Sequence, residues 1–228
     1  MFAPKSRFDN FLYKQIFFHN FRKNFSAINI KNHENVLEII KQSREKNIPV
    51  IFCSNHSNWW DASLVIYLCL EIFKIDAYYF VSEERKLNKN FEKLGVINFK
   101  EHNLEKDVIE ISGYLKGNSR FIWIFPQTEI TDNNSEIKFL PIITDLVDSL
   151  KQVVLVNCMI DYHYVNDKRP EIFIDFIETK NFTGISYLNK DSFNTNLEQK
   201  FELKLKEILQ KISQRDFKGF KKILEGKK

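Results

Sequence analysis

His56 and Asp61 bracket a polar interruption in the apolar stretch "PVIFCSNHSNWWDASLVIYLCLEI", residues 49 to 72. An imidazole with one ring nitrogen held by a carboxylate presents the other as a general base, which is the His/Asp half of a hydrolase triad. Spacing decides whether the two residues meet. On one continuous α-helix a five-residue step leaves the side chains about 140° apart, on different faces. If His56 instead ends a strand and Asp61 enters the following helix, the intervening "SNWW" is a turn that folds them together. Asp61 in that position also suits the positive N-terminus of a helix, with Ser57 or Asn58 as its cap, so the capping reading stays open beside the catalytic one.

A triad needs a nucleophile, and none is evident. The chain has no Gly-x-Ser-x-Gly elbow, and Cys53, three residues before His56, points to the opposite face of a strand and reads as a buried thiol. A base without a protein nucleophile implies deprotonation of a substrate hydroxyl, which then attacks an activated acyl group directly.

The elements that position this pair follow from hydrophobic periodicity. Strands are expected near 26–31, 50–55, 76–81, 95–99, 121–125, 153–160 and 171–177, and helices near 34–46, 61–73, 85–93, 103–117, 141–151 and 191–212. Apolar runs such as "RFIWIF" and "QVVLVNCMI" alternating with helical segments give an α/β fold with a mixed, largely central β-sheet flanked by helices. Active sites in such sheets lie in loops after strand carboxyl ends, here 54–61 and 126–135. Ahead of the sheet, Phe8, Phe11, Leu12, Ile16, Phe18, Phe21 and Phe25 recur at mostly three- and four-residue steps among Arg7, Lys14, Arg22 and Lys23, the pattern of an amphipathic N-terminal helix. Such a helix packs on its own domain or lies in a membrane interface.

The motifs resemble a known family. "NHSNWWD" is similar to the His-x4-Asp block of the glycerolipid acyltransferases, which include lysophosphatidic acid acyltransferases. "WIFPQTEI", residues 123–130, resembles that family's "FPEGTR" block in the "FPQGE" form of one bacterial branch. "SEERKLNKNFEKLGVI" and the ending "RDFKGFKKILEG" resemble the same branch, so the similarity runs from about residue 26 onward. It implies an acyltransferase domain over 26–228 that ends in a basic helical segment, preceded by the helix of residues 1–25. The implied reaction is acyl transfer from acyl-CoA or acyl-carrier protein to a hydroxyl of a lysophospholipid or related lipid. His56 would be the base and Asp61 its orienting partner, with no metal and no cofactor beyond the acyl donor. Asn58, Lys100, Gln127, Thr128 and Glu129 fall where the family binds substrate.

Three departures qualify the implied acceptor. Thr128 stands where the block has Gly; a left-handed backbone there would cost Thr about 1–3 kcal/mol. Ile130 occupies the place of the block's Arg, with Gln127 at the Glu position and Glu129 two residues on. Lys100 in "GVINFKEHN" lies near the usual phosphate-binding Arg and lacks its bidentate fork. A weakened member that binds an acyl lipid without turnover is the alternative these substitutions raise.

Bulk properties bound the remainder. In 228 residues, three cysteines without metal-ligand spacing and largely in apolar runs indicate reduced thiols and a cytoplasmic setting. The N-terminal stretch carries Lys14, Arg22 and Lys23 within its apolar region and has no small-residue cleavage site, so no signal peptide is expected. The net charge of +4 divides into +4 over residues 1–25, +6 over 199–228 and −6 between them. Positive ends on an acidic body suit an anionic surface met at the periphery, either phospholipid or nucleic acid, and the acyltransferase resemblance implies the first, an anionic membrane surface at its inner face. No interleaved aromatic and basic sheet motif is present, which argues against nucleic acid as a partner.

Overall fold

Every residue of β2 (Val50–Ser54) is buried because both faces of the strand are covered. Successive side chains point to opposite sides, so Val50 and Phe52 enter one apolar core while Ile51 and Cys53 enter another. Strand β5 (Phe121–Ile124) divides the same way, with Phe121 and Trp123 on the first side and Ile122 and Ile124 on the second. The computed structural model describes residues 1–82, 89–131, 136–183 and 189–227, and among these the strands form one mixed eight-stranded sheet.

The remaining strands are β1 (Ala27–Lys31), β3 (Ala77–Val81), β4 (Val96–Asn98), β6 (Gln152–His163), β7 (Glu171–Thr183) and β8 (Lys221–Glu225), in the spatial order β4-β3-β5-β2-β6-β7-β1-β8. The five strands from β4 to β6 are mutually parallel, so their carboxyl ends share one rim. Strand β7 turns back antiparallel to β6, β1 pairs parallel with β7, and β8 closes the edge antiparallel to β1. Helices α1 (Arg7–Asn24), α2 (His33–Lys46) and α3 (Asp61–Tyr67) cover the first face; α5 (Leu104–Leu115), α6 (Ile142–Ser149) and α7 (Lys190–Ser213) cover the second. No helix among the described residues is long and apolar enough to cross a membrane.

Differences from the expected elements are local. The helix expected over 61–73 becomes π-helical from Leu68 to Phe73 and stops at Lys74, which adopts a left-handed backbone with φ 50°. Of the helix expected over 85–93, only α4 (Lys89–Lys93) is seen, residues 83–88 lying outside the described ones, as do residues 132–135 of the second loop. The basic ending is not helical throughout. After α7 the chain turns and adds β8, whose lysines mark it as an edge strand that tolerates solvent on its outer side. All three cysteines are buried and unpaired as disulfides.

Helix α1 is integral to the domain. Ser6 caps it by accepting a hydrogen bond from the Asp9 N–H at 3.1 Å, and Phe17 and Phe21 on its inner side join the first core together with Phe25. Lys14 pairs with Glu71 at 2.8 Å. The helix does not present one apolar stripe to the core, however: Phe8, Phe11, Leu12 and Ile16 remain exposed. Phe21 is fully buried against Phe17, Phe25, Trp60 and Tyr67, so Phe21→Ala is expected to lower stability by about 3–5 kcal/mol in urea unfolding. A change under 1 kcal/mol would show that α1 is only loosely attached.

Candidate active site

The polar stretch after β2 is fixed through its backbone on both sides. Asn55 leaves the sheet but its side chain replaces the ladder: Nδ2 donates to the Ile160 carbonyl at 2.8 Å and Oδ1 accepts from the Ile160 N–H at 2.9 Å. The His56 N–H donates to Gln127 Oε1 at 2.5 Å, and the His56 carbonyl accepts from the Thr131 N–H at 3.0 Å. Gln127 is in turn held by Thr131, to whose hydroxyl its Nε2 donates. The loops after β2 and β5 are therefore stitched to each other, as two neighbouring parallel strands permit.

With the backbone held, the turn brings His56 Nδ1 to 3.0 Å from Asp61 Oδ2. Both side chains are buried, at 1% and 0% exposure. Asp61 Oδ2 also accepts the N–H groups of Ser57 and Asn58, each at 2.8 Å, and Oδ1 accepts the hydroxyl of Tyr162 at 2.6 Å. Four donors converge on one carboxylate, and one of them is an imidazole N–H. The acceptor fixes the tautomer, with the proton on Nδ1 and Nε2 as the basic nitrogen. Phe125 packs on the imidazole with ring centroids 4.7 Å apart.

The capping reading of Asp61 is thereby resolved. Asp61 is the first residue of α3, but its carboxylate takes the amides of the turn that precedes the helix, and the residue in the cap position, Trp60, makes no side-chain cap. Asn58, expected to bind substrate, uses its Oδ1 to accept the Trp60 N–H at 3.1 Å and so builds the turn. Because Asp61 occupies the Ser57 and Asn58 amides, these do not serve as donors to an oxyanion.

The other expected residues separate into two groups. Gln127 is buried and acts between the loops, whereas Thr128 and Glu129 are exposed beyond it. Thr128 does not have positive φ, so the left-handed geometry that would favour Gly is absent and no strain attaches to the substitution. Lys100 is exposed beyond the end of β4, on the same rim as His56 but three strands from β2, about 14 Å at ordinary strand spacing. It does not join the pair. Of the two tryptophans, Trp60 packs on Phe21 and Phe25 at 5.5 and 5.4 Å, and Trp59, 66% exposed, lies tilted against Trp60 at 4.2 Å.

Sequence reasoning missed Tyr162. It sits 101 positions beyond Asp61 in the chain, near the end of β6, and no local pattern points to it. Burial, and then the Asp61 charge, push its hydroxyl well above the ordinary tyrosine value, so it stays a donor. Cys53 has its thiol raised by burial alone, which removes it as a thiolate nucleophile. Neither a model of a known protein family nor a curated protein matches the chain.

Two outcomes follow from Tyr162. Tyr162→Phe leaves a buried carboxylate oxygen without its donor and should cost about 1–3 kcal/mol in urea unfolding. The native state also holds the phenolic proton more tightly than the unfolded chain, so stability falls as pH rises past the ordinary value of 10.0. Unfolding free energies measured across that range should show a shallower alkaline decline in the Tyr162→Phe variant.

Proposed function

We propose that the protein is an acyltransferase that moves a fatty acyl group from an acyl thioester, acyl-CoA or acyl-carrier protein, to a hydroxyl of a lysophospholipid or related lipid. The observation that carries the reading is the His56–Asp61 pair, buried and hydrogen-bonded, with the neighbouring Cys53 thiol held protonated by burial. His56 Nε2 takes the proton of the acceptor hydroxyl as its oxygen attacks the thioester carbonyl. The carbon–sulfur bond then breaks, the imidazolium returns the proton to the departing thiolate, and an ester and a free thiol result. Asp61 holds the ring and stabilises its charged form.

The motif resemblance in "NHSNWWD" and "WIFPQTEI" supports the same reaction, and the hydrogen bonds joining the two blocks give their association a physical basis. Lys100, exposed on the same rim beyond β4, is the cation this reading offers to an acceptor's phosphate. The 1% exposure of the imidazole also favours a second reading, a lipid-binding protein without turnover, because a base must reach its substrate's hydroxyl. Peripheral residence on the inner face of an anionic membrane fits an acceptor that dwells there.

Acyl transfer to a panel of lysolipids, followed by mass spectrometry, tests the proposal. His56→Ala should lower the rate about 10²–10⁴-fold, the usual contribution of a general base. Activity unchanged by that substitution would refute the mechanism, and absence of transfer in the wild type with retained lipid binding would favour the second reading.

A further inference from the structure

The exposed side of α1 is an apolar feature that the proposed chemistry does not use. At 100° per residue, Phe8, Phe11, Leu12 and Ile16 fall within a sector of about 140°, opposite Phe17 and Phe21. Their exposures are 72%, 62%, 42% and 38%, in a helix anchored on its other side. The same outward sector continues toward the C-terminus of α1 with His19, Arg22 and Lys23 and contains no carboxylate, Asp9 being the helix's one acid and lying off the sector. The outward face is therefore apolar for its first half and basic for its second.

Trp59 lies near the same end of the helix: 66% exposed, it rests tilted against Trp60, which packs on Phe21 and Phe25 at the end of α1, and it stands two residues before Asp61 in the chain. Indoles and lysines are the side chains that favour the headgroup level of a bilayer.

We propose that the outward face of α1, with Trp59, docks the protein on an anionic lipid bilayer, Phe8, Phe11, Leu12 and Ile16 entering the acyl boundary and Arg22, Lys23 and Trp59 meeting the headgroups. The proposal deepens the lipid-acceptor reading and takes from it that a bilayer is the partner. Charge complementarity selects lipid over a second copy: two such faces would bring like charges together. The four apolar side chains also expose only on the order of 400 Å², about half of what one partner contributes to a standard protein interface. Half-buried in lipid, α1 would hold the turn carrying His56 close to the bilayer surface, where a lysolipid hydroxyl lies.

Sedimentation of the full chain with phosphatidylcholine vesicles, with and without a third of the lipid replaced by phosphatidylglycerol, tests this. The wild type should pellet with the anionic vesicles, less with the neutral ones, and less at high salt. Phe8→Ser/Phe11→Ser should reduce partitioning at least tenfold while leaving the thermal unfolding midpoint in place, since both rings are exposed. Lys23→Glu should weaken binding several-fold on anionic vesicles only. No vesicle binding by the wild type, undiminished binding by the double variant, or a Phe8- and Phe11-dependent dimer in lipid-free light scattering would each overturn the proposal. His56→Gln should bind vesicles as the wild type does. Failure of acyl transfer thus leaves this result standing, and failure of vesicle binding leaves the His56 chemistry standing.

Discussion

The carboxylate of Asp61 is the point on which the site depends. Its donors come from two separate places: the imidazole and amides of the turn after β2, and the phenol at the end of β6. A buried carboxylate is costly unless its lone pairs are met, so the four bonds and the burial require one another. Remove the carboxylate and the turn loses the group that its two amides face, the ring loses its orientation, and Tyr162 is left with an unmatched hydroxyl.

The sheet makes that convergence possible. Strands β2, β5 and β6 lie side by side with their carboxyl ends on one rim, so the loops that leave them meet without long excursions. Asn55 and Gln127 convert that proximity into fixed geometry by using side-chain amides where the backbone ladder stops. Both faces of the sheet are filled by apolar side chains from helices, which places the polar turn at the rim as the part of β2's continuation where hydrogen bonding dominates packing.

Much of this was legible in the sequence. Most strand and helix positions among the described residues between Ala27 and Ser213 followed from period and apolar runs, and the five-residue His–Asp step required a strand-to-helix turn on geometric grounds alone. The identity of Asp61's fourth donor was not legible, because Tyr162 meets it through β6 pairing with β2, a relation that no local spacing encodes. At Thr128 the sequence left open whether the loop or the site differs from the family's block, and the backbone, which has no positive φ there, shows that the left-handed geometry favouring Gly is absent. Strand β8 was hidden because "KKILE" has the charge of a solvated helix end, and its edge position, set by β1, is what allows that charge. Asn58 and Gln127, expected to bind substrate, each make a hydrogen bond that holds the turn or joins the two loops.

The central claim is that Asp61 holds the His56 proton on Nδ1 and leaves Nε2 as the base. A long-range proton–nitrogen correlation spectrum of the protein with labelled histidine, assigned by its difference from His56→Gln, reads the tautomer directly. A neutral His56 with Nδ1 protonated and Nε2 unprotonated is the predicted result. A neutral ring carrying its proton on Nε2 would contradict the account, since Nδ1 would then face the carboxylate without a hydrogen to share and the basic nitrogen would point at Asp61.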